Sequence, residues 1–371
     1  MIFSLAFAYM LLTLAEYGNR KYSRYIHIYT LINPVTIIVL FPTKDVLFAV
    51  FAMLSFTCSV RIYFTDGEWL KNLKNSCMLI IFLTFTTIFR HNAILFTLPL
   101  VLAILLYAGR KQKFFVIAGC CAVVFVIRGV LYPYLGVEKP KYRVIETTGL
   151  PMTIIANAVY EAPEKLDKDI IDFFSKAAPK GNWKNDYSMM HAYSSIKHTN
   201  IDFEFIEESG PAKILGIAFR CLIQAPFASL RGFAALTDLV YGIFGVVQTN
   251  TIGWAQTSPQ TNTHENNYGI EDEGIKPLEL VLIYYNLASR VIFKQIFWHV
   301  GVFLLLTLIF MLAKLSFKSK LDIKRLCLVL PIFAYDFGTM FFLTTSDFRF
   351  FWCTYLVIPL VLLLLLREDR A

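Results

Sequence analysis

The sequence predicts an all-α polytopic membrane protein of about nine transmembrane helices with one large extracytoplasmic segment. Three observations carry this. Of 371 residues, 57% are hydrophobic and only 17% charged, whereas a soluble domain has roughly 25% charged. Several runs of about 14 to 20 residues are almost free of charge, as hydrocarbon requires. Lysine and arginine gather in the short stretches between those runs.

Taken in order, the apolar runs place spans at about 2–15, 26–42, 46–64, 76–89, 94–108, 114–132, 296–314, 325–344 and 349–366. Met1 to Ala15 has no basic leading region and no small-residue cleavage site, so it reads as a first span rather than a signal peptide. Asn33-Pro34 predicts a kink in the second span. The chain divides into an N-terminal bundle (1–132), an extracytoplasmic segment with interfacial helices (133–295) and a C-terminal bundle (296–371).

Charge sets the orientation. Arg20, Lys21, Arg24, Lys71, Lys74, Arg110, Lys111, Lys113, Lys314, Lys318, Lys320, Lys324, Arg325, Arg367 and Arg370 fall on one side of the alternating spans, fifteen in all. The short loops of the other side hold three, Lys44, Arg90 and Arg349. Basic residues favour the cytoplasmic side, which predicts a multi-pass protein of the cell membrane with a cytoplasmic C-terminus. The net charge of +8 therefore reflects topology rather than a nucleic-acid partner.

The outward segment begins polar and acidic. "EAPEKLDKDIIDFFSKAAPKG" reads as an amphipathic helix followed by turn signals. "AKILGIAFRCLIQAPFASLRGFAALTDLVYGIFGVV" is apolar but broken by Arg220, Pro226, Arg231 and Asp238. It reads as helices at the outer interface or packed on the bundle, with a pair of extra spans as the alternative. Of seven cysteines, all but Cys221 lie in apolar runs, and none has ligand or CxxC spacing. They are expected to be small buried hydrophobes without disulfides.

Three short outer turns carry more chemistry than loops need. "FRHNAILF" sets Arg90, His91 and Asn92 between two apolar runs. "PTKD" offers Lys44 and Asp45, and "TTSDFRFF" offers Asp347 and Arg349; Arg128 stands near the same level. Singly each has a plain explanation: Lys44 and Arg90 reach headgroups, and Asp45 caps a helix beginning at Val46. Together, costly ionisable groups at one membrane face predict a site. Its cations suit a phosphate or pyrophosphate, and a carboxylate beside them would orient a hydroxyl or act as a base. Asp336, inside a span, is expected to pair structurally with a buried Arg or Lys, or to bond to tyrosine or backbone; a proton relay is the alternative. His27 and His299 read as interfacial. His191, His198 and His264 lack ligand spacing, and no nucleotide-binding, nucleophile-elbow or zinc-protease motif occurs. No cofactor is called for by the pattern, and a divalent metal stays open.

On "NPVTIIVLFPTKDVLFAVF", "FRHNAILF", "TGLPMTIIANAVYEAPEKLDKDIIDFF" and "SDFRFFWCTYLVIPLVLL", the chain resembles the GT-C superfamily of polytopic glycosyltransferases, most closely an uncharacterised bacterial family grouped with them. The resemblance implies sugar transfer at the outer membrane face from a polyprenyl-phosphate donor to a cell-envelope glycan, lipid or protein. It implies that Lys44 and Arg90 contact phosphate, that Asp45 and Asn92 orient groups in the cleft, and that Arg349 closes it, with His91 and Asp347 in the same turns. The superfamily's acidic first outer loop has no counterpart here. Either the helices bearing it are not in this chain or another carboxylate serves: Asp45 first, then Asp238 and Asp347. A truncated non-catalytic relative or accessory subunit, and a transporter or flippase for lipid-linked glycan, are the other readings.

Overall fold

In a computed structural model, the described residues are 2–18, 24–26, 28, 44–138, 141–179, 201–243, 299–314, 320–344 and 348–366. Their regular structure is entirely helical. The longer helices are α1 (Ile2–Tyr17), α2 (Lys44–Phe64), α3 (Leu73–Phe89), α4 (Ile94–Leu105) and α5 (Arg110–Phe125), the last continued by a π-helical turn over Val126–Leu131. Then come α6 (Gly149–Glu161), α7 (Lys168–Ala177), α8 (Phe203–Gln224), α9 (Pro226–Tyr241), α10 (Val300–Lys314), α11 (Lys320–Thr339) and α12 (Trp352–Leu366).

Among the described residues, four helical stretches are long and apolar enough to cross a membrane: Lys44–Phe64, Arg110–Tyr134, Ile323–Phe342 and Phe348–Leu366. Four other helices, Ile2–Tyr17, Leu73–Phe89, His91–Leu105 and Val300–Ala313, are apolar but shorter, below the roughly 20 residues that a bilayer asks of one straight helix. The span expected at 26–42 lies almost wholly outside the described residues. Of the other eight apolar runs, four form full-length candidates and four form shorter helices, α4 among them because it ends at Leu105, ahead of a turn over residues 106–109.

The helices differ sharply in burial. α2 is central, 89% of its apolar window being buried against α1, α3 and α12. α5 is peripheral, 6% buried, and packs along α3, where Ile80 comes against Gly119. Past its basic first turn the stretch is apolar apart from Arg128, and an apolar helix surface that the protein leaves uncovered suits a hydrocarbon solvent and not water. Cys58, Cys221 and Cys353 are buried as expected, but Cys77 and Cys121 are exposed, because they stand on the uncovered sides of α3 and α5. All seven thiols are free.

A second layer, α6 to α9, sits at one end of the bundle. The amphipathic stretch forms α7, which buries Ile170, Phe173, Phe174 and Ala177. α6 is buried along nearly its whole length between α8, α9 and the bundle. Asn157 Nδ2 donates to the Ala228 carbonyl at 2.5 Å, joining α6 to α9. Gly149 fixes the layer to the bundle. A Cβ there would lie 2.4 Å from the Leu343 carbonyl oxygen and 2.8 Å from Thr344 Cα. Backbone cannot step aside as a side chain can, so Gly149→Ala is expected to cost about 1–3 kcal/mol. Thermal unfolding in detergent should show the loss, and an unchanged midpoint would mean that this contact is not close in solution.

Candidate functional site

The site grows from three helix ends. α3 stops at Arg90, whose extended backbone (φ −138°, ψ 145°) turns the chain into a 3₁₀ turn over His91–Ala93 and then α4. α2 opens at Lys44, so Asp45 lies inside the first helical turn and not at the cap expected ahead of Val46. A carboxylate there is favoured by the positive end of the helix dipole. The 3₁₀ turn Phe348–Phe351 buries Phe348 and Phe351 and carries Arg349 between them.

These ends, far apart in sequence, meet. Arg90 Nε lies 3.3 Å from Asp45 Oδ1, with the two side chains 9% and 7% exposed. Arg90 Nη1 donates to Tyr335 Oη and to the Phe350 carbonyl, each at 3.1 Å, and Tyr335 Oη donates to the same carbonyl at 2.8 Å. The guanidinium also lies over the rings of Phe350 (4.8 Å) and Phe48 (5.7 Å). Arg349 Nε approaches the other carboxylate oxygen of Asp45 to 3.9 Å, and its guanidinium lies 5.2 Å from the centre of the Phe350 ring. Unlike Arg90, its side chain is 34% exposed. Asp45 is thus a buried carboxylate between two guanidinium groups, one enclosed and one at the rim.

Of the residues singled out in the sequence, Asp45, Arg90 and Arg349 form this cluster. Asn92 stands beside it, its Nδ2 donating to Thr339 Oγ1 at 2.7 Å. Lys44 and His91 are exposed next to Asp45 and Arg90. Asp347 lies outside the described residues. Arg128 is exposed on the π-helical turn that continues α5, a helix that packs mainly on α3. Sequence reasoning missed Tyr335 and the Phe350 carbonyl, which hold Arg90. The neighbouring Asp336 drew attention instead, and its expected partners are not those found. Thr354 Oγ1 lies 2.7 and 2.8 Å from its two carboxyl oxygens and donates to the carboxyl, within a fully buried site.

The other end of the bundle is also ionic, which the count of cytoplasmic charges does not reveal. Arg61 pairs with Glu16 (2.9 Å), donates to Thr13 Oγ1 (2.8 Å) and lies over Tyr9. Lys324 pairs with Asp66 at 3.0 Å, and Arg325 donates to Tyr63 Oη at 2.5 Å. Asp45 and Arg61 are sixteen residues apart on α2, or roughly 24 Å at 1.5 Å per residue. Two polar layers thus bound an apolar middle close to a bilayer's hydrocarbon thickness of about 30 Å.

The α6–α9 layer shares the end that holds Asp45, since Gly149 packs on Leu343 and Thr344 beside the Arg349 turn. Within that layer Asp238 is half-buried, and that burial pushes its carboxyl up from 3.8 to about 6. The folded protein therefore holds this proton more tightly than the unfolded chain does, and stability falls as pH rises from about 4 to about 6. Above pH 6 the whole penalty is present, on the order of 1–2 kcal/mol after allowing for its partial exposure. Asp238→Asn is expected to raise the unfolding midpoint at pH 7.5 and leave it unchanged near pH 4. An equal effect at both pH values would assign the gain to something other than charge burial.

The architecture is that of a helical membrane protein with a polar cluster at one end. No protein-family model, curated protein or solved structure matches the chain.

Proposed function

We propose that this is a nine-span protein of the cell membrane, with a cytoplasmic C-terminus and residues 133–295 outside, that transfers a sugar from a polyprenyl-phosphate donor to an envelope glycan, lipid or protein. The observation that carries the reading is the convergence of Asp45, Arg90 and Arg349 from three distant stretches at one end of the bundle. The motif resemblance to GT-C glycosyltransferases gives that cluster its chemistry. In this reading the acceptor hydroxyl attacks the anomeric carbon, the bond from that carbon to the phosphate oxygen breaks, and the polyprenyl phosphate leaves with its electron pair. Cations near the departing oxygen stabilise its growing charge.

In this reading the roles differ from those the resemblance implies. Arg90 is committed to Asp45, Tyr335 and Phe350, so it shapes the site, and phosphate contact passes to Arg349 with Lys44 and His91 at the rim. Asp45 is the carboxylate available to receive the hydroxyl proton, which requires Arg349 to swing toward the phosphate and uncover Oδ2. Asn92, held by Thr339, orients the turn.

Asp45's enclosure by two arginines also favours a second reading, a non-catalytic relative in which the triad only fastens three helix ends. A transport reading has less support: between the two polar layers Asp336 is the only fully buried carboxyl among the described residues. The deciding experiment places the purified protein in liposomes with radiolabelled polyprenyl-phosphate hexose and an envelope extract, beside Asp45→Asn. Transfer lost in the variant supports the enzyme. Absent transfer in the parent protein, with fold intact, supports the fastening role.

A further inference from the structure

The layer formed by α6 to α9 has an outer surface with no use in the cluster. Leu215, Phe219 and Ile223 recur every fourth residue along α8, and Phe227 and Leu230 continue the row across the break into α9. All five are exposed, from 53% for Leu230 to 78% for Phe227. The opposite faces are the buried ones: Ile214, Ile217, Ala218 and Cys221 on α8, and Ala228, Ser229 and Leu236 on α9. The row is therefore not a core face left open by chance, because each helix already has its buried side against α6.

Two further features say what covers it. First, α9 packs on α10, a helix of the bundle that itself exposes Leu305, Leu306, Leu308, Ile309 and Leu312. Phe341 and Phe342, where α11 ends near α9, are exposed as well. The contact with α10 is at the far end of α9 from the row, where Gly301 meets Val240 to Gly242, so the row lies along a helix whose other end abuts surface that faces lipid if the bundle crosses a membrane. Second, the charges of α8 are turned aside. Arg220 grips Asp169 at 2.6 Å and Asp167 at 2.5 Å on α7 and the residue before it, and Lys213 lies over Phe173 and Phe205. Gly210, with φ +73°, breaks the helix ahead of Pro211. This lets the first turns stay with the layer, where Glu207 accepts from the Arg143 and Val144 backbone, while the remainder takes its own direction.

We infer that the row Leu215, Phe219, Ile223, Phe227 and Leu230 docks on the lipid of the membrane in which the bundle sits, so that α8 and α9 form an interfacial pair holding the α6–α9 layer over the polar cluster. A continuous exposed apolar row of this size marks an interaction surface. The side opposite the row is not solvated but packs on α6, so α8 and α9 lie between α6 and whatever covers the row. The inference rests on the chain lying in a membrane and not on sugar transfer.

The test uses the full chain in phosphatidylethanolamine–phosphatidylglycerol vesicles, with a photoreactive benzoylphenylalanine at position 219, 223 or 227 in turn. A control carries the probe at Lys176, exposed on α7. Mass spectrometry after illumination should show phospholipid adducts at the three row positions and none at 176. Adducts to a second copy of the chain, or no lipid adduct at any row position in correctly folded protein, would overturn the inference. Should a variant fail to fold by gel filtration, Leu215 supplies the replacement position. Absent transfer in the parent protein, with lipid adducts at the row intact, would count against the proposed reaction alone.

Discussion

Arg90→Ala is expected to destabilise the protein by about 3–5 kcal/mol, the usual cost of removing one partner from a buried ion pair. Asp45, 5% exposed, would be left facing only Arg349 at 3.9 Å. Tyr335 and the Phe350 carbonyl would lose their shared donor. A lysine in place of Arg90 has a single ammonium and cannot serve a carboxylate, a hydroxyl and a carbonyl in the planar fan that a guanidinium offers, so Arg90→Lys should recover only part of the loss. Thermal unfolding in detergent measures both. A cost below about 1 kcal/mol for Arg90→Ala would mean that the cluster does not fasten the helix ends.

Arg349→Ala should behave in the opposite way, leaving stability nearly unchanged while lowering the sugar transfer proposed above. Its guanidinium stands at the rim, and the 3₁₀ turn that carries it is held by Phe348 and Phe351 on either side. A charge-assisted contact to phosphate contributes about 1.5–3 kcal/mol, so transfer should fall by roughly ten- to a hundredfold. Arg349→Lys should restore more than Arg349→Gln, since the need at the rim is positive charge. If the three variants transfer equally, the phosphate does not meet Arg349. If Arg349→Ala unfolds like Arg90→Ala, both arginines are fasteners and the second reading of the site holds.

How much of this was legible in the sequence differs by element. The helical class and the apolar segments were readable because hydrocarbon tolerates neither charge nor unpaired backbone, and both constraints act on composition directly. Span lengths were less so: α4 ends at Leu105, although apolar residues run on through Ala108, because hydropathy does not see where a turn sets in. In the site, Arg90 and Asp45 stood out as charges in apolar surroundings. Tyr335 did not, since a tyrosine among apolar residues looks like core until its hydroxyl is seen to bond Arg90. Asp336 misled for the same reason. A carboxyl in a span invites a cation as partner, and Thr354, eighteen residues on, satisfies it with a hydroxyl. The ionic layer of Arg61, Glu16, Asp66 and Lys324 was hidden by counting loop charges by sign, which leaves out who pairs with whom.

In the proposed reaction the cluster at Asp45 and Arg349 receives the phosphate of a lipid-linked sugar. The most direct measurement is ³¹P NMR of a short-chain polyprenyl monophosphate titrated with the protein in nanodiscs, comparing the parent chain with Arg349→Ala. Saturable binding that shifts the phosphate signal in the parent and weakens about tenfold or more in the variant is the expected result. A phosphate signal that does not respond, or that responds identically in both, would contradict the claim and leave the triad as a clasp between three helix ends.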